Sequence, residues 1–374
     1  LLLGVKFYRA NNSNQQGPGS NGSGPDFDFK TEQYIDYQAQ SFYDYPNLNT
    51  ALFGEQVIYL KDNLSITPGF RLEHIKTESR GFYKNINLDA AGNLLLNETI
   101  YNDETRKRSF VLFGVGTSYK PNEYLEIYNN ISQNYRSVTF ADISIVNPAY
   151  VINPEITDEK GYNLDFGIRG VFNKTISYDI SLFRLFYNDR IGFVQKVFQD
   201  GNVKSERGNV GDAVIYGLES LVDFNLAKLF NFNYDYGASF FVNTSIIDSE
   251  YTSSSINGVT GKKVEFVPNL NFKSGFKFSF KDFSSSIQYT YMSEQFTDAS
   301  NSIASNLSGV IGVLPSYDVL DISLSYKYQN LKIETGVNNI LDTSYFTRRA
   351  TGYPGPGIIP SPPKNIYLTI GLKF

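Results

Sequence analysis

Apolar and polar residues take turns along most of this chain, and they do so with a period of two. The last segment is the clearest. Ile366, Leu368, Ile370, Leu372 and Phe374 fall on one face of an extended chain, and Asn365, Tyr367, Thr369, Gly371 and Lys373 on the other. A second stretch sets Ile322, Leu324, Tyr326 and Tyr328 against Asp321, Ser323, Ser325 and Lys327. A third sets Ile176, Tyr178, Ile180 and Leu182 against Ser177, Asp179 and Ser181, and a fourth Phe272, Phe276, Phe278 and Phe280 against Asn271, Lys273, Lys277 and Ser279. Successive side chains of a strand point to opposite faces, so the pattern predicts strands with one apolar and one polar side.

Alternation alone also suits a sandwich of two sheets. Three further features favour a membrane wall. Residues 64–78 and 175–188 can each run as one strand, well past the ~5–6 residues usual in globular sheets and enough for the ~9–11 that a tilted membrane strand needs. Turn lengths alternate. Tight turns at Lys61-Asp62-Asn63, 120–123, Phe172-Asn173-Lys174, 227–231, Lys281-Asp282 and Gln329-Asn330 are separated by long polar stretches at 11–48, 79–107, 137–159, 189–212, 248–261, 296–316 and 341–363. Short periplasmic turns and long surface loops are the outer-membrane arrangement. Aromatics also crowd the tight turns, where a periplasmic girdle belongs: Tyr59, Tyr119, Tyr124, Phe230, Phe232, Phe280, Phe283 and Tyr328. The expected fold is all-β, a transmembrane antiparallel up-and-down β-barrel with about fourteen strands in this chain. Lipid offers no hydrogen bonds, so every strand must be paired and the sheet must close. Fourteen is even, so closure by this chain alone is conceivable, but the preferred expectation is a barrel whose first portion lies outside it.

Composition sharpens this. Mean hydropathy is −0.28, hydrophobic content is 41%, and no run reaches the ~18 apolar residues of a spanning helix. Aromatics make up 16%, with 28 Tyr and 30 Phe but no Trp, an excess that interfacial girdles would use. Net charge is −5 with basic residues scattered, so no nucleic-acid footprint is visible. The absence of Cys removes disulfides, thiolate metal sites and Cys nucleophiles. One His, and no GxSxG, HExxH or Walker motif, leave catalysis without support. The opening residues LLLGVKFYRA lack the form of a signal peptide, so the chain is expected to begin mid-protein.

The run GVNNILDTSYFTRRATGYPGPGIIPSPPKNIYLTIGLKF (336–374) resembles the end of TonB-dependent outer-membrane transporters, and TRRATGYPGPGIIP within it resembles the ferric dicitrate type. SITPGFRLEHI (65–75), YNDRIGFV (187–194), RGNVGDAVIYGLES (207–220), SEQFTDASNS (293–302) and LPSYDVLDISLSY (314–326) are similar to the same family, in the same order. The resemblance implies a barrel of ~22 strands plugged by an N-terminal domain. Residues 1–374 would be the C-terminal part of that barrel. The plug, its TonB-binding segment and the first strands would not be in this chain. It further implies import of a ferric chelate such as ferric citrate, with iron carried only as cargo and no cofactor. TonB–ExbB–ExbD would act through the plug, and outer-membrane lipid, lipopolysaccharide and the barrel-assembly machinery would be further partners. Another ligand (another siderophore, cobalamin, an oligosaccharide) and a passive porin or structural barrel are the alternatives.

A carboxylate-rich ferric chelate suits arginine, whose guanidinium fork binds carboxylates bidentately. Arg348 and Arg349 lie in the last surface stretch beside a stiff Pro-Gly segment. Arg190 and Arg207 are placed in another loop and Arg136 starts a third, and all five are substrate-binding candidates. Solvated loop charge is the plain alternative. Arg71 and Glu73 share a strand face with Gly69, expected to be lumenal, where they could meet a plug. His74 falls on the opposite face, near the outer rim. Asp103-Glu104 and Asp158-Glu159 are expected to be solvated loop acids, with no calcium-loop spacing around them. Phe374 resembles the terminal aromatic by which the assembly machinery recognises its clients.

Overall fold

The fold comes from a computed structural model, which describes residues 1–19, 29–139, 150–197, 203–307, 309–350 and 357–373. The strands are β1 (Leu2–Gln16), β2 (Ser41–Glu55), β3 (Ile58–Lys61), β4 (Leu64–Leu88), β5 (Leu94–Tyr101), β6 (Glu104–Asn122), β7 (Leu125–Arg136), β8 (Tyr150–Ile152) and β9 (Glu159–Phe172). They continue with β10 (Ile176–Val197), β11 (Val203–Asn225), β12 (Tyr236–Ser253), β13 (Leu270–Phe280), β14 (Phe283–Met292), β15 (Tyr317–Tyr328), β16 (Leu331–Asn338), β17 (Phe346–Ala350), β18 (Gly357–Pro360) and β19 (Asn365–Leu372). Seventeen of these make one sheet, and β17 and β18 form a separate ribbon. Within the sheet, β3 continues the line of β2, β5 continues that of β6, and β8 lies parallel beside β11. The remaining fourteen succeed one another as an antiparallel meander from β1 to β19. Among the described residues no ladder joins β1 to β19, so the wall is a partial barrel with two open edges.

The tight turns form where the chain can take up left-handed backbone. Asn173 and Lys174 (φ 48° and 57°), Lys281 (φ 50°) and Gln329 (φ 52°) sit in them. Turns with positive φ match the right-handed twist of the flanking strands. The β11–β12 turn is wider and carries one helical turn, Leu226–Leu229, capped by the Asn225 side chain, which accepts from the Lys228 amide at 3.0 Å.

Register turns the two-residue period into two surfaces. Phe172, Ile176, Phe224, Phe240, Phe276, Ile287, Ile322, Val337 and Ile366 are cross-strand neighbours in one row across nine strands. The next row, on the opposite face, reads Ser239, Lys277, Ser286, Ser323, Gly336 and Tyr367. The apolar rows face outward uncovered: Phe113 is 62% exposed, Phe166 53% and Ile366 75%. Among the described residues no second sheet meets them, as the partner sheet of a sandwich would. On the lumenal face, aromatic rings lie flat over glycines of the adjacent strand. A methyl on Gly167 or Gly275 would run into the ring of Tyr128 or Phe241, so these glycines keep the wall smooth.

The long polar stretches are less loop-like than the sequence suggests. Much of 79–107 is strand, because β4 runs to Leu88 and pairs with β5. Most of 189–212 is the extended β10–β11 hairpin, and residues 11–16 belong to β1. Above the lipid a ladder needs no greasy face, so polar strands lose the alternation that marks them. In the described part of the Pro-rich segment, residues 357–360 pair with β17 as a two-stranded ribbon.

The fold sets a simple test. Phe70 and Phe113 are cross-strand partners. Six residues above the turn, at ~3.3 Å rise and ~45° tilt, Phe70 stands ~14 Å into the membrane. Phe113→Arg is expected to cost about 2–4 kcal/mol in urea titrations from lipid vesicles. Ser132→Arg, on the lumenal face, is expected to cost under about 1 kcal/mol.

Candidate functional site

The candidate site is the polar inner wall and its mouth at the long-loop end. Arg71 and Glu73 of β4 lie opposite Phe53 and Ala51 of β2 on the lumenal face. They ion-pair with each other, Asn49 Nδ2 donates to Glu73 Oε1 at 2.7 Å, and the Arg71 guanidinium stands 5.6 Å from the Phe53 ring centre. His74, on the outward face, makes a 2.8 Å hydrogen bond with Ser109.

At the mouth, β7, β9 and β10 are neighbours, which brings Arg136 and Arg190 to one place. Arg136 Nη1 donates to Glu159 Oε1 at 2.9 Å, and the Ile191 amide donates to the same oxygen at 2.6 Å. By parity Arg190 should face away from Tyr187. A β-bulge between them, with Asp189 at φ 55°, re-aims it inward. The bulge is held by Asn209 Nδ2 donating to the Asp189 carbonyl at 2.5 Å and by the Asp189 amide donating to Asp212 Oδ1 at 3.1 Å. The Arg190 guanidinium then lies 5.8 Å from the Tyr187 ring centre and 3.8 Å from Glu265 Oε1, and Tyr251 OH donates to Glu265 Oε2 at 2.7 Å. Arg136, Glu159, Tyr187, Arg190, Asn134 and Asn163 line one cavity of about 550 Å³. Arg190 Nε is buried with no acceptor among the described residues.

Behind the cavity, the loop chain is anchored by Asp158. It takes Arg108 Nε and the Val138 amide, both at 2.7 Å, and the Tyr135 hydroxyl. Burial pushes its carboxyl up, but the bonds from Tyr135, Val138 and Arg108 outweigh burial and hold it below the usual carboxylate range. Val138, Ile156 and Ile191 close a small apolar core beside it. Asp158 and Glu159 are therefore not solvated loop acids: Glu159 is 4% exposed. No local pattern marks them, because their cations arrive from 23 and 50 residues away.

Arg207, Arg348 and Arg349 do not line this cavity. Arg190 and Arg207 stand in β10 and β11, not in a loop, and the Arg207 guanidinium lies 5.1 Å from the Phe193 ring centre. Arg348 is exposed on β17. Its neighbour Arg349 clamps the β14–β15 loop: Nη1 donates to Ser305 Oγ and the Gly309 carbonyl and Nη2 to the Val313 carbonyl, each at 2.8 Å. That loop is joined in turn to β10 through the Ala299 amide and the Phe193 carbonyl at 3.1 Å, and to the β12–β13 loop through the Lys263 amide and Asn301 Oδ1 at 2.8 Å. A buried apolar core that includes Val210, Tyr251, Val259, Val264 and Ala299 fills the space beneath. These surface loops are packed structure with a core of their own. Phe374 lies outside the described residues. Among the described residues no cluster of His, Asp and Glu could hold a metal ion.

Comparison with known proteins places this geometry. Residues 1–340 match the family model described as TonB dependent receptor-like, beta-barrel. The structure resembles unliganded ferric citrate transporter FecA (TM-score 0.69, 19% identity, covering 100% of this chain and 51% of that one). It also resembles the ferric yersiniabactin uptake receptor FyuA from Yersinia pestis (TM-score 0.68, 17% identity, 90% and 47% covered). A third likeness is to the ferric-catecholate import receptor Fiu from K12 E. coli in its closed form (TM-score 0.70, 16% identity, 100% and 51% covered). The chain spans about half the length of these structures, and at these identities the likeness is one of fold.

Two outcomes check the anchoring. In Asp158→Asn, amide exchange at Val138 is expected to rise at least tenfold, the loss of a charge-assisted bond of about 1.5–3 kcal/mol. Because the folded-state value is depressed, wild type keeps this protection above the ordinary aspartate value of 3.8 and loses it only as pH falls through the lower folded value. Arg349→Ala is expected to open residues 293–316 to proteolysis while the barrel stays folded.

Proposed function

We propose, from the premise that this chain belongs to the TonB-dependent receptor-like β-barrel family, that the complete protein imports a ferric chelate across the outer membrane of a Gram-negative bacterium. The family is one of outer-membrane transport receptors, not enzymes. This chain supplies the C-terminal wall of the barrel. A plug and further strands, supplied by the rest of the polypeptide, would complete it. TonB–ExbB–ExbD would pull on that plug to release the ligand inward. Arg71 and Glu73, on the lumenal wall, would meet charges of the plug. Phe374 would serve the barrel-assembly machinery.

The ligand reading is ferric citrate or a similar carboxylate chelate. One observation carries it: the mouth cavity brings together Arg136 and Arg190, and Arg190 keeps a buried Nε–H without an acceptor among the described residues. A buried donor left unpaired is costly, and a ligand carboxylate would satisfy it. Arg348, exposed on β17, is a further candidate. Arg207 is a weaker one. Arg349 spends both terminal nitrogens on the loop clamp, so any share it has in binding would come through holding that loop.

A second reading has its own support. Both cavity arginines stand beside acids, Arg136 at Glu159 and Arg190 at Glu265, and the rest of the lining is two amides, two phenols and three aliphatic side chains. A near-neutral, hydrogen-bonding pocket also suits a hydroxyl-rich ligand such as an oligosaccharide. Calorimetry on the full-length protein separates the two. Ferric citrate is expected to bind, and Arg136→Ala and Arg190→Ala are each expected to weaken it about 10- to 100-fold. No binding to wild type removes ferric citrate. Binding unchanged in both variants removes this cavity.

A further inference from the structure

The outward face of β1, β2, β4 and β6 changes character abruptly at one row. Two lower rows are apolar: Leu3, Gly54, Phe70 and Phe113, then Val5, Leu52, Leu72 and Val111. These large side chains are exposed, from 37% at Phe70 to 78% at Val5. Next come Phe7, Thr50, His74 and Ser109, and above them Arg9, Leu48, Lys76 and Lys107. Thr50, His74 and Ser109 floor a shallow groove of about 540 Å³ bordered by Val5, Leu72 and Val111.

The height of the basic row follows from the strand. Lys76 stands twelve residues after Leu64, at the tight turn, so ~3.3 Å rise and ~45° tilt put it ~28 Å above that turn. An apolar barrel band is ~25 Å tall, so the row lies just beyond the hydrocarbon, at the level of the outer headgroups.

The charges are arranged at a cost. Lys76 and Lys107 are direct cross-strand partners, and like charges directly opposite destabilise a sheet. Glu78 lies between Lys76 and Arg80 and pairs with both, so that trio keeps one net positive charge. Arg9 and Lys107 are exposed. Asp44, opposite Arg80, stands two rows higher and receives a hydrogen bond from Ser13. The row itself therefore carries a positive excess, with the row of Phe7, Thr50, His74 and Ser109 next beneath it and the apolar rows below that.

We propose that this strip is a docking site for an anionic outer-leaflet lipid, a phosphorylated glycolipid of the lipopolysaccharide class. Its phosphate lies on Arg9, Lys76 and Lys107, and its acyl chains run down the groove over Val5, Leu72 and Val111. The charge pattern calls for an anion, and the apolar rows fixed beneath it call for chains on the same molecule. A soluble anion would use the row and leave the groove untouched. The inference rests on the membrane assignment and is independent of which chelate is carried.

Native mass spectrometry of the full-length protein in nanodiscs tests it, with lipid A, dephosphorylated lipid A and inorganic phosphate as probes. Each basic residue near a membrane surface contributes about fivefold in anion affinity. The double variant Arg9→Gln with Lys107→Gln is accordingly expected to bind lipid A about 30-fold more weakly. Arg9→Lys with Lys107→Arg is expected to match wild type. Heat-modifiable gel migration establishes that both are folded. Dephosphorylated lipid A is expected to show no difference between the variants. Undiminished lipid A binding by the folded glutamine variant overturns the proposal. So does an equal loss with the dephosphorylated lipid, or wild-type occupancy by inorganic phosphate that matches that of lipid A.

Discussion

Hydrocarbon cannot hydrogen-bond to a peptide, and the rest of this structure depends on that. Each wall strand must find its partners in its neighbours. A meander of fourteen antiparallel strands does this for all but the outer edges of β1 and β19. The side chains then divide by parity, greasy toward lipid and polar toward the lumen. The row from Phe172 to Ile366 and the serine-rich row beneath it are the two sides of one rule. Such a wall leaves its interior surface free to be specialised. At the mouth, Asp158 and Glu265 tie β6 and β10 to loops, and Glu159 ties β7 to the start of β9, through paired arginines.

That rule is why so much could be read from sequence. Strand number, face assignment and tight-turn positions were legible because lipid imposes a two-residue period and hairpins impose their own turn residues. Arg71 and Glu73 fall on the lumenal face by parity alone. Above the membrane the constraint lapses. The extra lengths of β4, β10 and β11 were hidden in polar sequence that reads as loop.

The mouth was only half legible. Arg136 and Arg190 were recognisable as cations near the surface, but their meeting depended on a bulge at Asp189 that reverses the parity of every later residue in β10. A residue with positive φ in mid-strand carries no sequence mark as plain as Asn-Gly in a hairpin. Asp158 and Glu159 read as solvated acids because the groups that bury them come from distant strands. Arg349, chosen for its place beside a rigid Pro-Gly segment, is bound to loop carbonyls that no local pattern could indicate.

Spin labelling along β15 tests the two-faced wall most directly. This chain contains no Cys, so with any Cys elsewhere in the full-length protein replaced by Ser, single Cys substitutions at 320–325 can each carry a nitroxide in bilayers. The account expects oxygen accessibility to peak at residues 320, 322 and 324 and to drop at 321, 323 and 325, with a polar paramagnetic reagent never favouring the first set. Uniform accessibility, or labels at 322 and 324 shielded from both oxygen and the polar reagent, would contradict it.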